Sequence, residues 1–225
     1  MKFRSVFMTL SCAFALAACV GQDGSASGQA GSAAAEVPAG SVKVQTAHGE
    51  AVVPQNPERV AVYDLGAVDT LSKLGVKIGA SVDAQRLAYL DAPLKDAVKA
   101  GTLFEPNYEA LNAYNPQLIV IGSRMAKDKV SDELAKLAPT IDMTAQTDNM
   151  KESAKARIDA YGRIFGKQAE ADALKAEIDK TFADAKAAAQ GKGKGLVILV
   201  NAGKLSAFGP DSRLGGWIHR DIGVP

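Results

Sequence analysis

Side chains able to do acid–base or nucleophilic chemistry are sparse in this chain. There are two histidines, His48 in a turn-like stretch and His219 beside Trp217 and Ile218 on a helical pattern, and no Gly-x-Ser-x-Gly elbow. A Ser-His-Asp machine therefore has little to work with. No His-Glu-x-x-His or other paired-histidine spacing occurs, which argues against a zinc hydrolase, and His219 is better read as a core or capping histidine. Asp64 and Asp69 could form a carboxylate pair, but across a helix start they are more simply an N-cap and a solvated first-turn acid. Gly191-Lys192-Gly193-Lys194-Gly195 has phosphate-loop composition, yet it precedes its strand instead of joining a strand to a helix. It reads as a solvated helix-to-strand connection.

Two arginines suit binding better than catalysis. Arg124 follows the apolar run 118–121 through Gly122-Ser123, at the carboxyl end where parallel α/β sheets take ligands. Arg213 lies in Gly209-Pro210-Asp211-Ser212-Arg213-Leu214-Gly215-Gly216, a loop also on the carboxyl side of an apolar strand. Each half of the chain thus presents one arginine, although spacing alone also fits two solvated surface residues.

The elements that must position these residues alternate between strand and helix. Residues 42–46 and 51–53 form a hairpin across His48-Gly49-Glu50, and 60–62 is a short apolar strand with Asp64 as N-cap of the next helix. That helix carries Leu65, Val68, Leu71 and Leu74 and stops at Gly75. Strands at 76–81, 118–121 and 139–143 and helices at 109–114 and 131–137 complete an α/β segment. The run at 118–121, apolar on both faces, suits the interior of a parallel sheet.

Asn149 and Glu152 look like a capping box for a helix over 150–165 that Gly166 ends. A second amphipathic helix carries Leu174, Ile178, Phe182 and Ala185. Residues 196–200 then read as another interior strand of a parallel sheet, leading through a long loop to a helix that closes at Ile222-Gly223-Val224.

With 225 residues, 47% hydrophobic, 23% charged and a net charge of +1, the chain has globular composition, not that of a disordered one. No global field favours nucleic acid or membrane lipid, so a charged partner must be met locally. Lys2 and Arg4 precede an apolar run at 6–18 that is too short for a stable bilayer span and has the length of a signal-peptide core. It ends Leu16-Ala17-Ala18-Cys19. Cys12 lies inside the segment to be removed, so it cannot pair with Cys19 in the mature protein. Residues 21–40, rich in Gly, Ser and Ala, read as a flexible tether.

The ending at Cys19 resembles the lipobox of bacterial lipoproteins, which implies cleavage before Cys19 and acylation there. Asn56-Pro57-Glu58-Arg59-Val60-Ala61-Val62-Tyr63-Asp64, with Asp69-Thr70-Leu71 and Leu74-Gly75-Val76, resembles the entry into the first lobe of ABC-transporter periplasmic binding proteins for ferric siderophores, haem and cobalamin. Three stretches are similar to the catecholate-siderophore branch of that family. They are Gly101-Thr102-Leu103-Phe104-Glu105-Pro106-Asn107-Tyr108-Glu109, the run from Pro116 through Arg124, and the run from Leu205 through His219.

The resemblance implies an α/β fold of two Rossmann-like lobes joined by a long helix, with the second lobe incomplete in this chain. The divisions are a signal peptide at 1–18, a lipidated tether at 19–41, a first lobe at 42–147, the connecting helix at 148–166 and the start of a second lobe at 167–225. It implies no enzymatic activity, no cofactor and no metal ligand within the chain, the family's iron ligands falling beyond Pro225. The implied ligand is a ferric catecholate siderophore, held in the cleft between the lobes by Arg124, Arg213, Ser212, Tyr63 and Phe104. The implied partners are an ABC permease, met through Glu109, and a bilayer met through Cys19, with no nucleic acid and a monomeric state. A haem or cobalamin carrier of the same fold is the first alternative. An α/β enzyme with a phosphate or nucleotide ligand is the second, and it lacks the glycine-rich strand-to-helix turn it would need. The short second lobe further predicts a fragment that binds ligand poorly, with an exposed apolar edge at 196–200.

Overall fold

A hairpin opens the folded chain. β1 (Ser41–Thr46) pairs antiparallel with β2 (Gly49–Pro54) around Ala47-His48. The Thr46 hydroxyl donates to the Gly49 carbonyl and accepts from the His48 amide, which ties the turn. The structure is a computed structural model that describes residues 37–83, 87–122, 125 and 129–225, all within the unit Glu36–Pro225. Cys19, the leader, most of the tether, Ser123 and Arg124 lie outside the described residues.

A parallel sheet follows, built from β3 (Val60–Val62), α1 (Leu65–Lys73), β4 (Ala80–Ser81), a 3₁₀ turn (Ala88–Leu90), α2 (Asp91–Leu94) and β5 (Val98–Lys99). It continues with α3 (Tyr108–Tyr114), β6 (Leu118–Ile121), α4 (Lys129–Ala135) and β7 (Thr140–Asp142). The strand order is β5-β4-β3-β6-β7, all parallel. Alternation explains why β3 and β6 carry apolar residues at every position. Val60, Val62, Leu118 and Val120 face one core with Val68 and Leu71 of α1, whereas Ala61, Tyr63, Ile119 and Ile121 face another with Leu111 of α3 and Leu134 of α4.

Asp64 caps α1 as its sequence position suggested, and its Oδ1 accepts from the amides of Gly66 (2.7 Å) and Ala67 (3.1 Å). Such a cap stabilises a helix by about 1 kcal/mol. The expected strand over 76–81 is shorter. Gly75 turns left-handed at φ 73 and the Val76 amide still bonds the Leu71 carbonyl, so pairing with β3 begins only at Ala80. The edge strand β5, two exposed residues, has no counterpart in the sequence reading.

α5 (Met150–Phe165) lays Ile158, Tyr161 and Ile164 on the first core and touches β1, so this helix packs as part of the first sheet's cover. Its expected capping box is absent. The Asn149 side chain makes no cap bond, and the nearby Ser153 hydroxyl accepts from the Gln146 amide instead. α6 (Gln168–Ala189) returns along α5, close enough that a Cβ on Gly162 would stand 2.7 Å from that of Ala171. Lys155 bonds Asp179 at 2.7 Å and Lys175 bonds Asp159 at 2.8 Å across the pair.

The apolar run at 196–200 does not enter a parallel sheet. β8 (Val197–Asn201) pairs antiparallel with β9 (Lys204–Phe208) as a two-stranded hairpin. Ala202 (φ 48) and Gly203 (φ 78) are both left-handed, the twist a two-residue hairpin turn requires. The run at 196–200 is thus not the expected unpaired edge, since β9 pairs with it, although its side chains are exposed, Leu196 at 68% and Val200 at 67%, as is Leu205 of β9 at 73%. The expected closing helix is a π-helical turn (Trp217–Asp221), whose Trp217 ring packs on Phe182 of α6 with centroids 6.3 Å apart. The glycine–lysine run at 191–195 is an exposed helix-to-strand connection, as its position implied.

Candidate ligand-binding site

In the order β5-β4-β3-β6-β7, the chain leaves β3 toward one side of the sheet and β6 toward the other. The crevice at such a reversal, beyond the carboxyl ends of the strands, is where open α/β sheets bind ligands. A pocket of about 380 Å³ occupies that place. Its floor is Tyr63 and Asp64 from the end of β3, Gly66 from the first turn of α1 and Gly122 from the end of β6, with Leu87 and Leu103 as apolar walls.

Tyr63 is 1% exposed, and its hydroxyl donates to the Ala100 carbonyl at 2.7 Å. Burial, and secondarily Tyr108, push its phenol pKa well above the ordinary tyrosine value. Tyr63, expected as a ligand contact, is therefore a core residue whose hydroxyl is already committed and whose ring is almost wholly covered. Phe104 stands next to Leu103 and is 70% exposed. The Thr102 hydroxyl accepts from the amides of Phe104 and Glu105, and Gly101 (φ 92) packs so closely on the Glu105 carbonyl that no side chain fits there. This tight turn turns the Phe104 ring out to solvent.

Beneath the pocket, the Asp64 Oδ2 accepts from Nη2 of Arg157 on α5 at 3.2 Å, with the two side chains only 19% and 18% exposed. Burial alone would lower the Arg157 pKa, but nearby Tyr161, Asp64 and Asp142 outweigh it and hold it above the ordinary value. Asp142 itself is taken up by His48 Nε2 (2.9 Å) and by the amide and hydroxyl of Thr144.

The other expected site residues are not gathered here. The described lining comes wholly from residues before Ser123 and ends at Gly122, and Arg124 lies outside the described residues. Arg213 is exposed in the turn after β9. The Ser212 hydroxyl is spent within that turn, donating to the Gly209 carbonyl and accepting from the Gly215 amide. Glu109 is exposed in the first turn of α3, and His219 Nδ1 lies 2.9 Å from the Val224 carbonyl, a capping arrangement. Among the described residues no group of three His, Cys, Asp or Glu side chains stands where it could hold a metal ion.

Sequence reasoning missed Leu87, Leu103 and Arg157. The first two sit in loops, where no periodicity marks an inward residue. Arg157 did carry a signal, because it shares the spacing of Tyr161 and Ile164 on the buried face of α5, where a charge needs a partner.

The profile of the periplasmic binding protein family matches residues 60–225. The petrobactin-binding protein YclQ of Bacillus subtilis is 37% identical over 99% of this chain and 69% of its own length. The ferric-anguibactin-binding protein FatB of Vibrio anguillarum is 32% identical over 78% of this chain and 56% of its own. Among solved structures, the periplasmic catecholate-siderophore binding protein VctP of Vibrio cholerae superposes with a TM-score of 0.73 at 30% identity, over 82% of this chain and 66% of that one. The chain thus spans about two thirds or less of the length of these relatives.

Proposed function

Because this chain belongs to the periplasmic binding protein family, we propose that it is the substrate-binding component of an ABC importer and takes a ferric catecholate siderophore. The observation that carries this reading is the pocket at the strand reversal between β3 and β6, lined at the end of β6 by Gly122, two positions before Arg124 in sequence. A ferric catecholate is bulky, anionic and flat-ringed. The pocket offers an apolar floor and walls in Tyr63, Leu87 and Leu103, with the exposed Phe104 ring beside Leu103. Arginine adds a permanent charge and a planar face that can stack on a catechol ring, which lysine lacks.

In this reading Arg124 binds the ligand from the first lobe, and Arg213, presented by the turn that Ser212 ties, binds it from the opposite side. The protein captures and delivers its cargo without chemistry, and the ferric ion arrives within the ligand. Cys19 anchors it by its acyl chains to the outer face of a membrane. Glu109 is offered to the permease from the start of α3. The relatives named for petrobactin, ferric anguibactin and catecholate siderophores support the ligand class.

The experiment is equilibrium dialysis of the protein against a ferric catecholate, a ferric hydroxamate, haem and cobalamin. Selective retention of the catecholate is expected. Preference for haem or cobalamin would move the protein to a different cargo on the same fold.

A further inference from the structure

Asp64 supplies the only carboxylate among the described residues lining the pocket. A bare carboxylate on that floor would repel an anionic ligand. The structure instead commits both of its oxygens, Oδ1 to the amides of Gly66 and Ala67 and Oδ2 to Arg157. Gly122 leaves the carboxylate the room it occupies, since a Cβ there would stand 2.1 Å from Oδ2. Arg157 forms no other ion pair among the described residues; neighbouring Asp142 also acts on its charge, but the Asp142 oxygens bond His48 and Thr144.

We infer that Arg157, which does not line the pocket, is a positioning residue that fixes the charge of the pocket floor: by holding and neutralising Asp64 it makes the site acceptable to an anionic ligand. This rests on the proposed ferric catecholate ligand and names a determinant of its selectivity on a helix remote in sequence. The pair is shielded from water, so the cancellation acts at a low effective dielectric where one uncompensated charge is felt across the pocket. A mere staple between α5 and the sheet predicts something different. In that case, removing either partner should weaken binding together with stability.

The test uses the full chain with ferric tris-catecholate as probe, affinity by equilibrium dialysis and folding by thermal unfolding. Arg157→Met uncovers the Asp64 charge and should weaken binding about tenfold, the effect of one unit charge in a partly desolvated pocket. Asp64→Asn keeps the helix cap but removes the charge, so its affinity should equal or exceed that of the wild type even if its melting temperature falls. The double variant should regain wild-type affinity, and it keeps the test decisive if Arg157→Met alone does not fold. Binding that is unchanged in Arg157→Met, or that weakens in Asp64→Asn in step with lost stability, overturns the inference and leaves the ligand class standing. A wild type that fails to retain the probe refutes the ligand class, and the inference with it.

Discussion

A Cβ placed on Gly122 would stand 2.1 Å from Asp64 Oδ2, so the end of β6 and the cap of α1 are fitted to each other with no room for even a methyl group. This contact, between residues 58 positions apart in sequence, joins the two strand ends that form the pocket floor. Gly122→Ala should force the carboxylate off Arg157 or off the helix amides and cost on the order of 1–3 kcal/mol. Adding Asp64→Ser, a shorter residue that still caps a helix, should restore part of the loss. Thermal unfolding of the single and double variants checks this, and a stable Gly122→Ala protein would contradict the fit.

The α5–α6 pair should carry an acid-sensitive contribution to stability. Hydrogen bonding from Lys175, then from Gln168, outweighs burial and holds the Asp159 pKa below its ordinary value of 3.8. A carboxyl lowered on folding stabilises above its unfolded pKa and loses that contribution as pH falls through the folded value. The window therefore lies at pH 3.8 and below. Because the group is half-exposed, solvent screening limits the effect to about 1 kcal/mol or less. Asp159→Asn should lower stability at neutral pH and flatten its decline in acid. An unchanged acid limb, followed by chemical denaturation at several pH values, would contradict the assignment.

Hydrogen exchange should divide the chain sharply. The amides of β3 and β6 lie in a sheet covered on both faces and should be strongly protected. Those of β8 and β9 belong to an exposed two-stranded hairpin, an arrangement that is marginal in water, and should exchange quickly. Uniform protection across both regions would show that the hairpin is stabilised by contacts the described residues do not make.

The same division marks how far the sequence could be read. β3, α1 and β6 were legible because capping, a left-handed glycine stop and apolar residues on both strand faces all agreed. The run that became β8 carried the same apolar signal, and period alone cannot tell an interior parallel strand from an exposed antiparallel one. The deciding residue was Ala202, whose left-handed backbone is rare for a residue with a Cβ and so gave no turn signal. Gly122, at the end of β6, lines the pocket. The walls at Leu87 and Leu103 and the partner of Arg157 depended on tertiary approach, which residue spacing does not encode.

Exposure of Glu109 at the start of α3 makes a charge reversal there informative about docking. Glu109→Lys should leave dialysis affinity unchanged while reducing siderophore uptake in cells. A Cys19→Ala protein should in addition leave the membrane fraction after a salt wash, since stable attachment requires the acyl anchor. Undiminished uptake by the Glu109 variant would remove that residue from the permease contact.

In the proposed complex an anionic catecholate sits over the carboxyl ends of β3 and β6 between Arg124 and Arg213. Gallium(III) tris-catecholate is a diamagnetic stand-in for the ferric complex, and titrating it against ¹⁵N-labelled protein reads the site directly, even if binding is weak. The amides of Gly66, Leu103 and Gly122 should shift together. Arg124→Ala and Arg213→Ala should each weaken the response about tenfold, the loss of one charge-assisted contact. Shifts confined to the exposed hairpin β8–β9, or an unchanged response when both arginines are replaced, would place the ligand elsewhere on the protein.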